Sequence, residues 1–131
     1  MSSAPATVTR VDFVGVPTRD LQAAMDFYGT TLGLLRSVYL EARNYAEFEI
    51  DNLTLSIFHP QAMGLEHHVS RNAIALHVED VEAARAELEA RGVQFSGETF
   101  DTGVCHMAFF TDPDDNALML HHRYAPRPPG A

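Results

Sequence analysis

Apolar and polar residues alternate in short runs, give way to a helical period, and then repeat the same order sixty residues later, so that residues 13–24 are echoed by residues 73–84. Residues 11–16 are apolar at almost every position except Asp12, and Pro17 disfavours continuing the ladder, which predicts a short strand. Asp20 then stands where an N-cap belongs. Behind it Leu21, Ala24, Met25, Tyr28 and Leu32 recur at helical spacing and predict an amphipathic helix ending near Gly33. Residues 37–41, 46–50 and 53–58 are rich in β-branched, aromatic and alternating side chains, with Asp51-Asn52 as a tight turn between the last two. The first half therefore reads βαβββ.

Residues 60–72 hold Pro60, Gly64, two histidines and no sustained period, as a connection would. The pattern restarts with a strand over 73–78, and Asp80 caps a helix whose face is Val81, Ala84 and Leu88, closing at Gly92. Strands over 93–95, 104–111 and 117–121 follow, the last pair joined by Asp112-Pro113-Asp114-Asp115-Asn116. The second half is βαβββ too, and such an internal repeat governs the fold. We expect an α+β chain with a single domain over 10–124, divided into module one (10–59), the connector (60–72) and module two (73–124). An N-terminal tail (1–9) and a Pro-rich C-terminal tail (125–131) flank it.

Length and composition fit this expectation: 131 residues, 46% hydrophobic and 21% charged, make one ordinary core. No apolar run approaches the roughly 20 residues that span a bilayer, and the first residues lack the basic and apolar regions of a signal peptide, so a cytoplasmic protein without membrane partners is expected. The lone Cys105 has no partner for an intramolecular disulfide and reads as a small buried hydrophobe. A formal net charge of -9 and the lack of a basic patch argue against nucleic acid, and would suit a cationic small molecule.

Several of these residues together resemble a known family. The capped Asp-Leu and Asp-Val helix starts, Phe27-Tyr28 followed by Leu32-Gly33-Leu34, and the late Phe110-Thr111-Asp112-Pro113-Asp114 are similar to the vicinal oxygen chelate superfamily. That group includes glyoxalase I, extradiol dioxygenases, fosfomycin resistance enzymes and bleomycin-binding proteins. The resemblance implies two βαβββ modules forming curved mixed sheets around a cavity, with helices on the outer faces, and it implies a homodimer. The cavity is then expected within one chain or between modules of two exchanged chains.

Metalloenzymes of that family hold a divalent cation with a histidine or glutamine on a module's first strand and a glutamate on its last. Carried onto this chain, the first-strand positions, seven residues before each capping aspartate, fall on Phe13 and Ala73, and the last-strand carboxylate falls on Met119. None of the three binds a metal, so the inherited site is expected to be absent and no cofactor is expected. These side chains either fill the cavity or line a pocket for an apolar or aromatic ligand.

Residues two apart on a strand share a face, so parity adds the rest of the expected lining. Gly15 joins Phe13; Ala75 and His77 join Ala73; His121 joins Met119; Met107, Phe109, Thr54, Ser56 and Phe58 come from the neighbouring strands. His77 and His121 are the catalytic candidates, readable as hydrogen-bonded strand-end histidines, as ligand contacts or a general base, or as a relocated metal site. His59, His67, His68, His106 and His122 are expected to be solvated or structural, and Glu47 and Glu49 to stand at a pocket mouth or an exposed edge. No phosphate-cradling loop or nucleophile elbow supports covalent catalysis. The expected function is sequestration or binding of a small organic, aromatic or cationic molecule; the alternative is a lyase, isomerase or dioxygenase-type enzyme using a displaced metal site or a histidine base.

Overall fold

The computed structural model describes residues 5–128. Among these residues eight strands form two four-stranded mixed sheets, one per βαβββ module. In the first, β1 (Val14–Pro17) runs parallel to β4 (Leu53–Phe58), which pairs antiparallel with β3 (Tyr45–Ile50) and that with β2 (Leu35–Leu40). The second repeats the order: β5 (Ile74–His77) lies parallel to β8 (Ala117–Arg123), followed by β7 (Cys105–Thr111) and β6 (Phe95–Asp101). β1 and β5 start and stop at positions sixty apart, and Asp20 and Asp80 each accept the N–H of the residue three further on, Ala23 and Ala83. Among the described residues, no helix is long and apolar enough to cross a membrane.

Alternation within each strand decides which face meets the core. Val16, Ala46, Phe48, Leu55 and Ile57 of the first sheet, and Ala108, Phe110, Leu118 and Leu120 of the second, are buried in one continuous cluster with residues of both helices. Complete burial of a ring such as Phe48 or Phe110 contributes about 1.5–3 kcal/mol. The helix of each module, α1 (Leu21–Met25) and α2 (Val81–Ala90), covers this face of its own sheet. The opposite faces carry the residues that parity assigns to the lining.

Several boundaries differ from expectation. The first strand covers 14–17 rather than 11–16, because its ladder with β4 begins at Val14–Leu55; Phe13 and Ala73 each sit one residue ahead of their strands. The strand expected at 93–95 is the longer β6, and a bulge between Ser96 and Phe100 resets its facing, as another does between Arg36 and Val38 in β2. Within the connector, Pro60–Met63 forms a 3-10 turn capped by His59. Residues 124–128 carry neither helix nor strand, while 129–131 and the first four residues lie outside the described residues.

The first helix departs most. After Met25 it widens into a π-helical segment, Asp26–Thr31, in which Leu32 N–H reaches back to Phe27 O at 2.9 Å. The extra residue turns Phe27 inward beside Tyr28, edge to face at 5.2 Å, where it also meets Phe110. Tyr28 is wholly buried, and its hydroxyl donates to Asp112 Oδ2 at 2.6 Å.

Asp112 opens the β7–β8 turn, and that turn clasps module one. Its Oδ1 accepts the N–H groups of Asp114 and Asn116, while Oδ2 accepts Tyr28 and the Asn116 amide. Asn116 also donates to Pro17 O at 2.8 Å, and Asp114 accepts Thr18 Oγ1–H at 2.6 Å and Arg19 N–H at 2.9 Å. Thr18, Asp112, Asp114 and Asn116 are all buried, so each bond replaces a partner that water no longer supplies.

Candidate functional site

A cavity of about 600 Å³ opens on the face of the first sheet away from α1, lined by module one and Met63 of the connector. Phe13 comes from just ahead of β1 and Gly15 from within it, Ser56 and Phe58 from β4, Tyr45 from β3, and Leu40, Arg43, His59 and Met63 from the rim. Gly15 lets the Phe58 ring lie across β1, since a Cβ there would stand 3.2 Å from Phe58 Cε1. Phe13, Leu40 and Met63 remain more than two-fifths exposed, so the wall is apolar yet open.

One polar chain crosses this apolar surface. Tyr45 Oη–H donates to Glu47 Oε2 at 2.5 Å, which commits its single proton; the buried Ser56 hydroxyl, 2.7 Å away, therefore donates to Tyr45. Burial, followed by the bond to Glu47, pushes the Tyr45 phenol above its ordinary range. Glu49 accepts from Ser37 and Thr54, both at 2.5 Å, and these bonds hold its carboxyl below the usual range. Glu47 and Glu49 are thus both tied to hydroxyl groups of the sheet, Glu47 through the cavity-lining Tyr45.

The remaining expected lining residues sit elsewhere. Thr54 borders a separate depression with Arg10 and Val11. On the second sheet Ala75 stands opposite Met119, and His77 opposite His121, with Met107 and Phe109 paired to His121 and Met119 on the next strand. These residues share the face away from α2, which also presents the exposed Phe109 and Phe100. Ala75 and His77 additionally line a cleft of about 630 Å³ between the modules, with Leu34, Leu53 and Leu88 among its walls. The structure thus gathers Phe13, Gly15, Ser56 and Phe58 into one cavity, and Ala75, His77, Met107, Phe109, Met119 and His121 on another sheet.

Over residues 10–120 the sequence matches the Glyoxalase/Bleomycin resistance protein/Dioxygenase superfamily. The chain belongs to that superfamily. Solved structures of the same fold include a glyoxalase/bleomycin resistance protein/dioxygenase from Nocardioides, 24% identical with a TM-score of 0.75, covering 95% of this chain and 91% of that one. TnmS3, an antibiotic binding protein from Streptomyces sp. CB03234, is 24% identical with a TM-score of 0.75, over 90% of this chain and 98% of its own. Lactoylglutathione lyase from Agrobacterium tumefaciens is 19% identical with a TM-score of 0.74, over 89% and 94%. Comparison with curated proteins finds no match.

The histidines of this superfamily member occupy several distinct environments. His77 Nε2 lies 3.1 Å from Glu79 Oε1, and this bond holds the Glu79 carboxyl below its usual range. The His122 ring lies 5.7 Å from that of His77, and its Nδ1 meets Val78 O at 3.1 Å. His121, the expected companion of His77, is its ladder partner but takes no part in this group. Strand parity leaves His122 as merely solvated or structural and does not reach Glu79. The signal for both is nonetheless present: His77-x-Glu79 at the end of β5, and a second imidazole after His121 on the strand paired with it. His106 stacks on Tyr124 at 4.8 Å, and both ring nitrogens of the half-buried His67 are buried without a partner among the described residues. Cys105 is buried.

Proposed function

We propose that this protein binds a small, largely apolar organic molecule against the first sheet, without the cation that metalloenzymes of its superfamily use. The observation that carries the reading is the cavity of about 600 Å³ walled by Phe13, Phe58 and Met63, with the Ser56–Tyr45–Glu47 chain as its polar handle. An apolar wall with a few placed polar groups is the usual build of a small-molecule site. Phe13, Ala73 and Met119 offer no donor at the inherited ligand positions. An aromatic guest suits the exposed rings, and the net charge of -9 favours a cationic one.

In this reading the protein is a cytoplasmic homodimer, and a second copy covers the exposed apolar faces around Phe13 and Phe109. Sequestration of a drug-like compound, as the name of TnmS3 describes for that protein, is the role we assign. Thermal-shift screening against antibiotics and aromatic metabolites tests it: a ligand that binds the native state raises Tm, and Phe58→Ala should abolish that rise. A diverse library without one stabilising compound would overturn the proposal.

A further inference from the structure

We infer that His77, Glu79 and His122 form a binding site for one divalent transition-metal cation, displaced from the position the superfamily uses. A ring nitrogen of each histidine and a carboxylate oxygen of Glu79 lie within 4.8 Å of one another, and among the described residues this is the one grouping of three such donors. His77 lies four residues beyond Ala73 and His122 three beyond Met119, so both have moved toward the strand ends from the apolar inherited positions.

Backbone geometry has already oriented one ligand. Val78 O can only accept, so His122 Nδ1 carries the proton that reaches it at 3.1 Å, and Nε2 keeps a free lone pair. Fixing the tautomer through a carbonyl is how metal-binding imidazoles are commonly held. Val78 is itself anchored, its N–H donating to His121 O at 3.0 Å. The second ligand, His77 Nε2, shares a proton with Glu79 Oε1, and a cation would take the place of that proton between the same two atoms.

Donors around a tetrahedral zinc stand roughly 3.3 Å apart, given bonds of about 2.0–2.1 Å. The His77 and Glu79 side chains are 65% and 90% accessible, so solvent rather than packing surrounds them as they turn to close the group. Two imidazoles and one carboxylate suit zinc, cobalt or nickel and fall far short of the oxygens calcium needs. Three protein ligands leave at least one position for water, and the neighbouring cleft lined by His77 lets an apolar molecule with its own donor approach that position.

The test uses the full chain without an affinity tag, stripped with chelator and titrated with zinc and, for its absorption spectrum, cobalt. One cation per chain is expected. His77→Ala and Glu79→Gln should each weaken binding by about tenfold or more, while His68→Ala, an exposed imidazole outside the group, and Phe58→Ala, in the other cavity, should leave it unchanged. Because His77 and Glu79 are exposed, circular dichroism and Tm should match the wild type. Substoichiometric uptake at micromolar metal, or equal affinity in His77→Ala and Glu79→Gln, would overturn the inference and leave the small-molecule reading untouched.

Discussion

The phenol of Tyr28 meets Asp112 Oδ2 at 2.6 Å across 84 residues of sequence, joining the π-helical segment of module one to the β7–β8 turn of module two. The Phe-Thr-Asp-Pro-Asp stretch that identifies the family in sequence is thus a joint between modules, and its carboxylates hold the fold rather than a substrate.

Tyr28→Phe leaves that buried carboxylate one donor short. A loss of about 1–3 kcal/mol is expected, seen as a Tm lower by several degrees with the same native circular dichroism. Unchanged Tm would show that the bond contributes nothing net.

Alkaline pH should find the same residue. Burial first, then the Asp112 charge, raises the Tyr28 phenol, whereas in the unfolded chain it ionises at about pH 10. Above that pH the folded state holds more protons than the unfolded one, so stability is full below about pH 10 and falls as pH rises beyond it. Urea midpoints at pH 8 and 11 should differ less in Tyr28→Phe than in the wild type. Tyr45 and Tyr124 are raised in the same direction, so some slope remains. Identical slopes would contradict the assignment.

Gly15→Leu should close the candidate cavity while sparing the fold. The new side chain leaves the core face untouched and meets the Phe58 ring, whose Cε1 stands only 3.2 Å from where a Cβ would sit. Any compound that stabilises the wild type should lose its thermal shift, with stability in the absence of ligand changed by roughly 1–2 kcal/mol at most. A retained shift would place the compound elsewhere.

Ser56→Ala and Tyr45→Phe separate the polar chain into its parts. Ser56→Ala removes one donor to Tyr45 and should cost about 1 kcal/mol; Tyr45→Phe strips partners from both Glu47 and Ser56 and should cost more. Urea denaturation of the two variants checks the order, and the reverse order would mean that Ser56 has another role.

Much of this architecture is legible from local pattern. Asp20 and Asp80 announce their helices because a capping carboxylate acts on amides only three residues away. Alternation gives the facing of Ser56 and Phe58, or of Met119 and His121, because pleating is a property of one strand. What pattern misses is set by distant partners. The π-helical turn exists where Phe27 and Tyr28 both point inward, to Phe110 and Asp112, and neither lies nearby in sequence.

The candidate site divides along the same line. Parity assigns Phe13 and His121 each to a face but cannot tell whether the faces of the two modules meet, and within one chain the expected lining lies on two surfaces. His122 escapes because it points off the face of His121, and only the strand end brings it beside His77.

The joint at Asp112 and Asp114 also breaks the symmetry of the repeat. Module two has Val78 and Leu88 where module one has Thr18 and Tyr28, and module one turns from β3 to β4 through Asp51-Asn52 alone, with no counterpart of the five-residue turn. Lock and key have been assigned to different copies. The two halves are therefore not interchangeable: two copies of module one would offer hydroxyls with no carboxylates to meet, and two copies of module two the converse.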